Sequence, residues 1–240
     1  VLVYDSVLEK HYCLTNCDLT GFVYPVLGST LSNPQREIIE QMLHENWQKV
    51  FLIGNYDAFT GDTGIYWKKV IEQKGYDVVY ADHVHLPIKS MFPGFSMFPV
   101  PNEEKQKRMI AKAEKRIDII TKNIVKGVRR YRGYELFDKI GGGGQRKYYD
   151  PIVDKFIAGM FIDSERCVMC GLCYKICPAE AISKDENGNC NIDSNKCIFC
   201  LKCYNYCPHT AALKDAESVD RVKFMRYKGL SKFVKPIQYR

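Results

Sequence analysis

The sequence predicts an α/β domain on an open, mostly parallel sheet, followed by a small α+β domain organised around cysteines. Three observations predict it. Over residues 1–130, short β-branched and aromatic runs alternate with amphipathic stretches, the pattern of strands covered by helices. A twelve-residue cysteine motif occurs twice, beginning at Cys167 and at Cys197. Between the two regions lies a run of four glycines at 141–144. The expected divisions are an α/β domain at 1–130, a glycine-bearing linker at 131–157, the cysteine domain at 158–214 and a basic tail at 215–240.

The runs "VLVYDS" (1–6), "LTGFVYPV" (19–26), "KVFLIGN" (49–55) and "YDVVYADHVHLP" (76–87) read as buried strands. "NPQREIIEQMLHENW" reads as a helix with Pro34 in its first turn and Ile38, Ile39, Met42 and Leu43 on one face. In "GIYWKKVIEQKG", Trp67, Val70 and Ile71 share a face and Gly75 suits the position just past a helix end. His83 and His85 alternate along a strand and read as structural or solvent-facing.

From 102 a long amphipathic helix is expected, capped by Asn102, with Glu103 and Glu104 at its positive end. Ile110, Ala113, Ile117, Ile120, Ile124 and Val128 recur at spacings of three and four, a stripe for core packing. The glycine run reads as a flexible joint or tight loop. Positive charge collects over 105–147 and in the tail, within a formal net charge of +7. Such faces are attractive to acidic proteins, nucleic acid or anionic membranes. No apolar run approaches the roughly 20 residues needed to span a bilayer, and the first residues do not read as a secretory signal. Nine of the eleven cysteines lie between Cys167 and Cys207, eight of them in the two motifs. That clustering in a chain with no secretory address argues for metal ligation in the cytoplasm rather than a disulfide framework.

Each motif is C-x2-C-x2-C-x3-C-P: Cys167, Cys170, Cys173, Cys177 and Pro178, then Cys197, Cys200, Cys203, Cys207 and Pro208. Three cysteines two residues apart cannot all point one way from a helix or strand. A loop wrapped around a compact iron–sulfur cube aims all three inward. Zinc sites instead favour separated C-x2-C pairs closing a tetrahedron. Cys13, Cys17 and Cys190 have no counterpart in the repeat and read as bystanders.

Residues 160–213 resemble bacterial-type dicluster ferredoxins at every ligand position. The resemblance implies two [4Fe–4S] clusters with crossed fourth ligands: Cys167, Cys170, Cys173 and Cys207 for one, Cys197, Cys200, Cys203 and Cys177 for the other. The preceding region resembles flavodoxin, in particular anaerobe proteins that fuse a flavodoxin-like domain to such a ferredoxin. "CDLTGFVYPVLGSTLSNP", "VFLIGNYDAFTGDTG" and "GYDVVYADHVHLP" carry that resemblance. It implies a flavodoxin-like sheet of order 2-1-3-4-5. "VLVYDS" would then be its second strand, and the first strand with its phosphate loop would be missing, so the expectation is an incomplete N-terminus. "GSTLSNP" is not expected to replace that loop, because the domain would then keep only three strands. An FMN ring would lie at the carboxyl ends of the strands, with Tyr24 or Tyr56 stacking on it and Gly28, Ser29, Asn55 and Gly61 at its polar edge.

The expected function is cytoplasmic, low-potential electron transfer through two [4Fe–4S] clusters, to or from FMN, with a redox partner protein of acidic character. No nucleophile–base pair suggests stand-alone catalysis, and the sequence implies no nucleic-acid partner and no particular oligomeric state. One rival is a flavin-free ferredoxin module whose α/β part docks a redox enzyme. The other is a zinc-bearing nucleic-acid binder using the basic segments.

Overall fold

The structure, a computed structural model, describes residues 18–42, 48–56, 59–87, 99–132 and 136–226, with the backbone alone over 136–141. The expected strand "VLVYDS", Leu43, Cys13, Cys17 and the tail beyond 226 lie outside the described residues. Those residues form two compact units. One takes in residues up to Pro87 and from Lys107 to Asp150; the other runs up to Gln106 and on from Pro151.

In the first unit, strands β1 (Thr20–Pro25), β2 (Lys49–Tyr56), β3 (Asp77–His85) and β4 (Arg130–Tyr131) lie side by side in chain order, every pair parallel. The parallel α/β sheet expected from the alternating runs is therefore present. Strand β4 was not legible beforehand, because two residues carry no period-2 signal. Helices α1 (Asn33–Gln41) and α2 (Thr63–Glu72) bring Ile38, Ile39, Trp67 and Ile71 into one core with Phe22, Tyr24, Val50, Leu52 and Val78. Pairing passes from Val50↔Val78 to Phe51↔Tyr80, so Val79 is an extra residue in β3. This irregularity rephases the alternation: Val78 and Ala81 stay with the first core, whereas Tyr80 and Val84 join a second.

Helix α3 (Glu103–Val125) supplies that second core with Ala113 and Ile120, against Ile53, Tyr80 and Val84. The expected six-residue stripe is only partly used. Ile124 packs at the margin, while Ile117 is 48% exposed and Val128 41%. A cylinder touching a sheet buries a narrow sector, and residues at the edge of a wide apolar stripe stay in water.

The glycine-rich stretch differs from expectation. Helix α4 (Leu136–Ala158) runs through the four glycines and through Pro151. Glycine weakens a helix by about 1 kcal/mol per residue relative to alanine, so helix here reflects tertiary contact. A Cβ on Gly142 would stand 1.8 Å from Asp62 Oδ1, whereas Gly143 and Gly144 face open space. Gly142 thus permits a close approach that no other residue allows.

In the second unit, β5 (Phe161–Ile162) pairs antiparallel with β8 (Ala212–Leu213), and β6 (Ile182–Lys184) with β7 (Cys190–Ile192). Short helices α5 (Leu172–Ile176) and α6 (Lys202–Tyr206) complete the repeat. Its small core holds Met160 and Tyr204, with Phe156 stacked on Phe199 at 5.9 Å. Residues after 214 also pack on this unit. Asp215 caps a 3-10 turn (Ala216–Val219), Phe224 is buried, and Arg226 donates to the carbonyls of Tyr204, Ala212 and Ser218. Those three carbonyls fix the first part of the basic tail.

Candidate cofactor sites

The sequence repeat is a backbone repeat. Met169 and Phe199, Gly171 and Leu201, and Glu180 and Thr210 are pairs thirty residues apart, and all six adopt positive φ. Five of these six are not glycine, and holding such residues there costs on the order of 1–3 kcal/mol each. Only a loop that must point its thiols and amides to one side has reason to hold that geometry. The hydrogen bonds repeat as well. Cys167 and Cys197 amides donate to the carbonyls of Asp163 and Asp193, and the carboxylates of those aspartates accept from Glu165 and Asn195 amides. Ala181 N–H donates to Cys177 Sγ at 3.3 Å, and Ala211 N–H to Cys207 Sγ at 3.2 Å.

The eight repeat cysteines line two cavities, each with about 360 Å³ of non-atom space, partly open to solvent. Cys167, Cys170, Cys173 and Cys207 line the first, with Val168, Leu172, Ala211 and Ala212 among the apolar wall. Cys177, Cys197, Cys200 and Cys203 line the second, with Ile182, Ile192, Ile198 and Leu201. Each cavity thus receives three cysteines of one motif and the fourth of the other. Among the described residues, no three His, Cys, Asp or Glu side chains stand close enough to hold a single metal ion. Thiols spread around a cavity rather than a point suit a polynuclear cluster. Burial pushes the thiols of Cys197 and Cys203 above the ordinary range, and that of Cys173 up to about 12. Without metal they are neutral; cation binding must displace their protons. Cys190, expected as a bystander, lines the first cavity too. No counterpart cysteine in the repeat drew attention to it.

The six candidate flavin residues lie towards or beyond the carboxyl ends of β1 and β2, and helix α4 packs on Gly28 and Ser29 among them. Gly28 and Ser29 form a tight turn between Leu27 and Thr30. Ser29 is 1% exposed and its hydroxyl is hydrogen-bonded to Gln145. A Cβ on Gly28 would meet the Tyr149 ring at 2.3 Å, and one on Gly61 would meet Ser29 Oγ at 1.8 Å. Arg146 pairs with Asp62, donates to the Ser29 carbonyl at 3.2 Å and stacks over the Tyr66 ring at 4.0 Å. Tyr24 is buried in the core, Asn55 is the penultimate residue of β2, and Tyr56, which ends it, stacks on His85 at 4.9 Å. With α4 in this position Gly28 and Ser29 do not fit a flavin edge, because Tyr149, Gln145 and Arg146 already contact them. Helix α4 was not legible among the strand-end residues, since a glycine run gives no helical signal.

Residues 160–183 and 191–211 match the 4Fe-4S binding domain family. Residues 160–211 of the second unit are therefore a ferredoxin-type 4Fe-4S region. The chain is also similar to the pyruvate synthase subunit PorD of Methanocaldococcus jannaschii, 55% identical over 31 residues. That match covers 13% of this chain and 36% of PorD, so the chain spans about a third of the relative's length.

Proposed function

We propose that this protein carries single electrons at low potential through two [4Fe–4S] clusters. Cys167, Cys170, Cys173 and Cys207 hold one; Cys197, Cys200, Cys203 and Cys177 hold the other. The observation that carries this reading is the lining of the two cavities by crossed sets of four thiols. The clusters supply one-electron chemistry; the chain supplies thiolates, the amides that bond their sulfurs, and an apolar wall that limits water. Iron and acid-labile sulfide analysis of anaerobically purified full chain tests it. About eight of each per chain is expected, as two four-iron cubes require; a colourless zinc protein would overturn it.

Of the two roles for the α/β unit, the packing of α4 favours the flavin-free one, in which this unit docks a partner redox protein. FMN at the strand ends requires α4 to leave Gly28 and Ser29. Acid treatment of the purified chain decides: a stoichiometric yellow supernatant would restore the flavin. Docking is supported by the outward side of α3 and the turn that follows it, where Lys112, Lys115, Ile119, Lys122 and Lys126 follow at steps of three and four and are all exposed. Such a basic stripe with an apolar residue at its centre fits an acidic protein surface. PorD serves a pyruvate synthase; by analogy this chain serves a larger redox enzyme.

A further inference from the structure

The 4Fe-4S match ends at residue 211, yet residues 215–226 are tied to the same unit. Asp215 and Ser218 close a capping box, and Ser218 and Phe224 are buried. Asp220 accepts the amides of Val222 and Lys223 on its carboxylate and that of Phe224 on its carbonyl. These anchors frame two arginines. Arg221 Nη2 donates to the Cys207 carbonyl at 2.8 Å. Arg226 lies over the Tyr204 ring at 3.9 Å and donates to the carbonyls of Tyr204 at 2.6 Å and Ala212 at 3.2 Å. Cys207 and Ala212 both line the first cavity.

The acids of this segment are engaged elsewhere: Asp215 with Lys214, Glu217 with Lys223, and Asp220 with its own turn. Among the described residues neither arginine has a carboxylate partner, and both donate to carbonyls. Two uncompensated positive charges therefore stand behind the wall of the first cavity. The repeat does not copy this arrangement. The Cys177 carbonyl accepts from the Glu180 amide as the Cys207 carbonyl does from the Thr210 amide, but among the described residues no arginine donates to Cys177.

We propose that Arg221 and Arg226 tune the cluster of the first cavity, their charges raising its reduction potential. The inference rests on the iron–sulfur reading above. Reduction adds one electron, and so one negative charge, to the cluster; no bond forms or breaks and no proton moves. A guanidinium stays protonated throughout, so it stabilises the reduced state more than the oxidised one, and local charge is among the terms that set such potentials. The two arginines differ in strength. Arg221 is exposed, where water and salt weaken its field. Arg226 is half-buried, its Nε closed off from water without a hydrogen-bond partner, and in that less polar setting its charge acts more strongly. Both lie outside the matched region, so the tuning comes from the segment that follows it.

Redox titration of the anaerobically purified full chain, followed by electron paramagnetic resonance, tests this. Iron and sulfide content is measured on every sample, so absence of clusters in the wild type would defeat the underlying reading and not the tuning alone. Arg221→Gln keeps a donor for the Cys207 carbonyl but removes the charge, and one midpoint should fall while the other holds. The expected change is about threefold in the reduced-to-oxidised ratio at fixed potential, roughly 30 mV at 59 mV per tenfold, and it should shrink at high salt. Arg226→Met should lower the same midpoint by about tenfold in that ratio, with less response to salt. Lysine at either position keeps the charge and should stay near the wild type. If Arg226→Met fails to hold both clusters, the Gln and Lys variants of Arg221 decide alone. Unchanged midpoints in Arg221→Gln at full iron content would overturn the proposal. So would equal falls in the Gln and Lys variants, which would make the hydrogen bond and not the charge responsible, or equal falls of both midpoints.

Discussion

Asp82 of β3, 1% exposed, accepts a hydrogen bond from Arg116 of α3. Arg130 and Arg132 approach the same carboxylate at 3.8 and 3.5 Å, and the His83 amide donates to it at 2.7 Å. Burial, the largest single influence, would raise the Asp82 pKa; the hydrogen bonds from Arg116 and the His83 amide and the charges of Arg116 and Arg132 together outweigh it, and the net shift is downward. The buried charge of the sheet is thus the point to which α3 and β4 are tied.

Asp82→Asn leaves three guanidinium groups around a neutral amide. Removing one partner of a buried pair costs about 3–5 kcal/mol, and the partial exposure of the arginines points to the lower end, about 3 kcal/mol. The denaturation midpoint of the α/β unit should fall accordingly; a midpoint within error of the wild type would refute the role.

His83 gives the same unit a pH dependence. Desolvation lowers its pKa from 6.5 to about 4. Between these values the unfolded chain takes up a proton that the folded chain refuses, so stability falls as pH drops from about 6.5 to about 4. The slope approaches about 1.4 kcal/mol per pH unit for one such group. Urea titrations across that window should show the decline, and His83→Gln should remove this contribution. An equal slope in the variant would contradict it.

Neighbouring glycines in α4 should respond with opposite signs. Gly143→Ala meets nothing within 4 Å, so a better helix former should stabilise by about 0.5–1 kcal/mol. Gly142→Ala drives a methyl into Asp62 and should destabilise by about 1–3 kcal/mol. Thermal unfolding of the two variants side by side checks the pair. Equal shifts would mean that α4 does not lie against Asp62.

The proposed crossed ligand sets predict which double variants spare a cluster. Cys170→Ser with Cys207→Ser strikes one set, and about four irons per chain should remain. Cys170→Ser with Cys177→Ser strikes both sets and should leave fewer. Iron analysis with cluster spectra distinguishes them, and the reverse order would uncross the assignment.

Charge on α3 should set the rate of exchange with a partner. Reversing Lys115, Lys122 and Lys126 to Glu should slow interprotein electron transfer by about tenfold or more at low salt, with the difference shrinking as ionic strength rises. Stopped-flow mixing with an acidic electron carrier reads this; a rate indifferent to both salt and the substitutions would remove α3 as the docking face.

Local signals carried the strands at Thr20–Pro25, Lys49–Tyr56 and Asp77–His85 and the motif at Cys167 and Cys197, because each is written in short-range pattern: β-branched runs, or ligands at fixed spacing. Folding added the facts that depend on distant parts of the chain meeting. Gly142 reads as loop until Asp62, eighty residues earlier, supplies the contact that makes a glycine helix worthwhile. Ser29 and Gly28 read as a ligand turn until Gln145 and Tyr149 cover them. Ile117 and Val128 complete an apolar stripe on paper, yet the sheet meets only the sector of Ala113 and Ile120. Cys190 has no partner in the repeat, and only the β6–β7 hairpin brings it to the wall of the cavity that Cys173 also lines. The difference is physical: spacing along a chain fixes what neighbours in sequence can ligate or pack, while long-range contacts select which of those surfaces remain open.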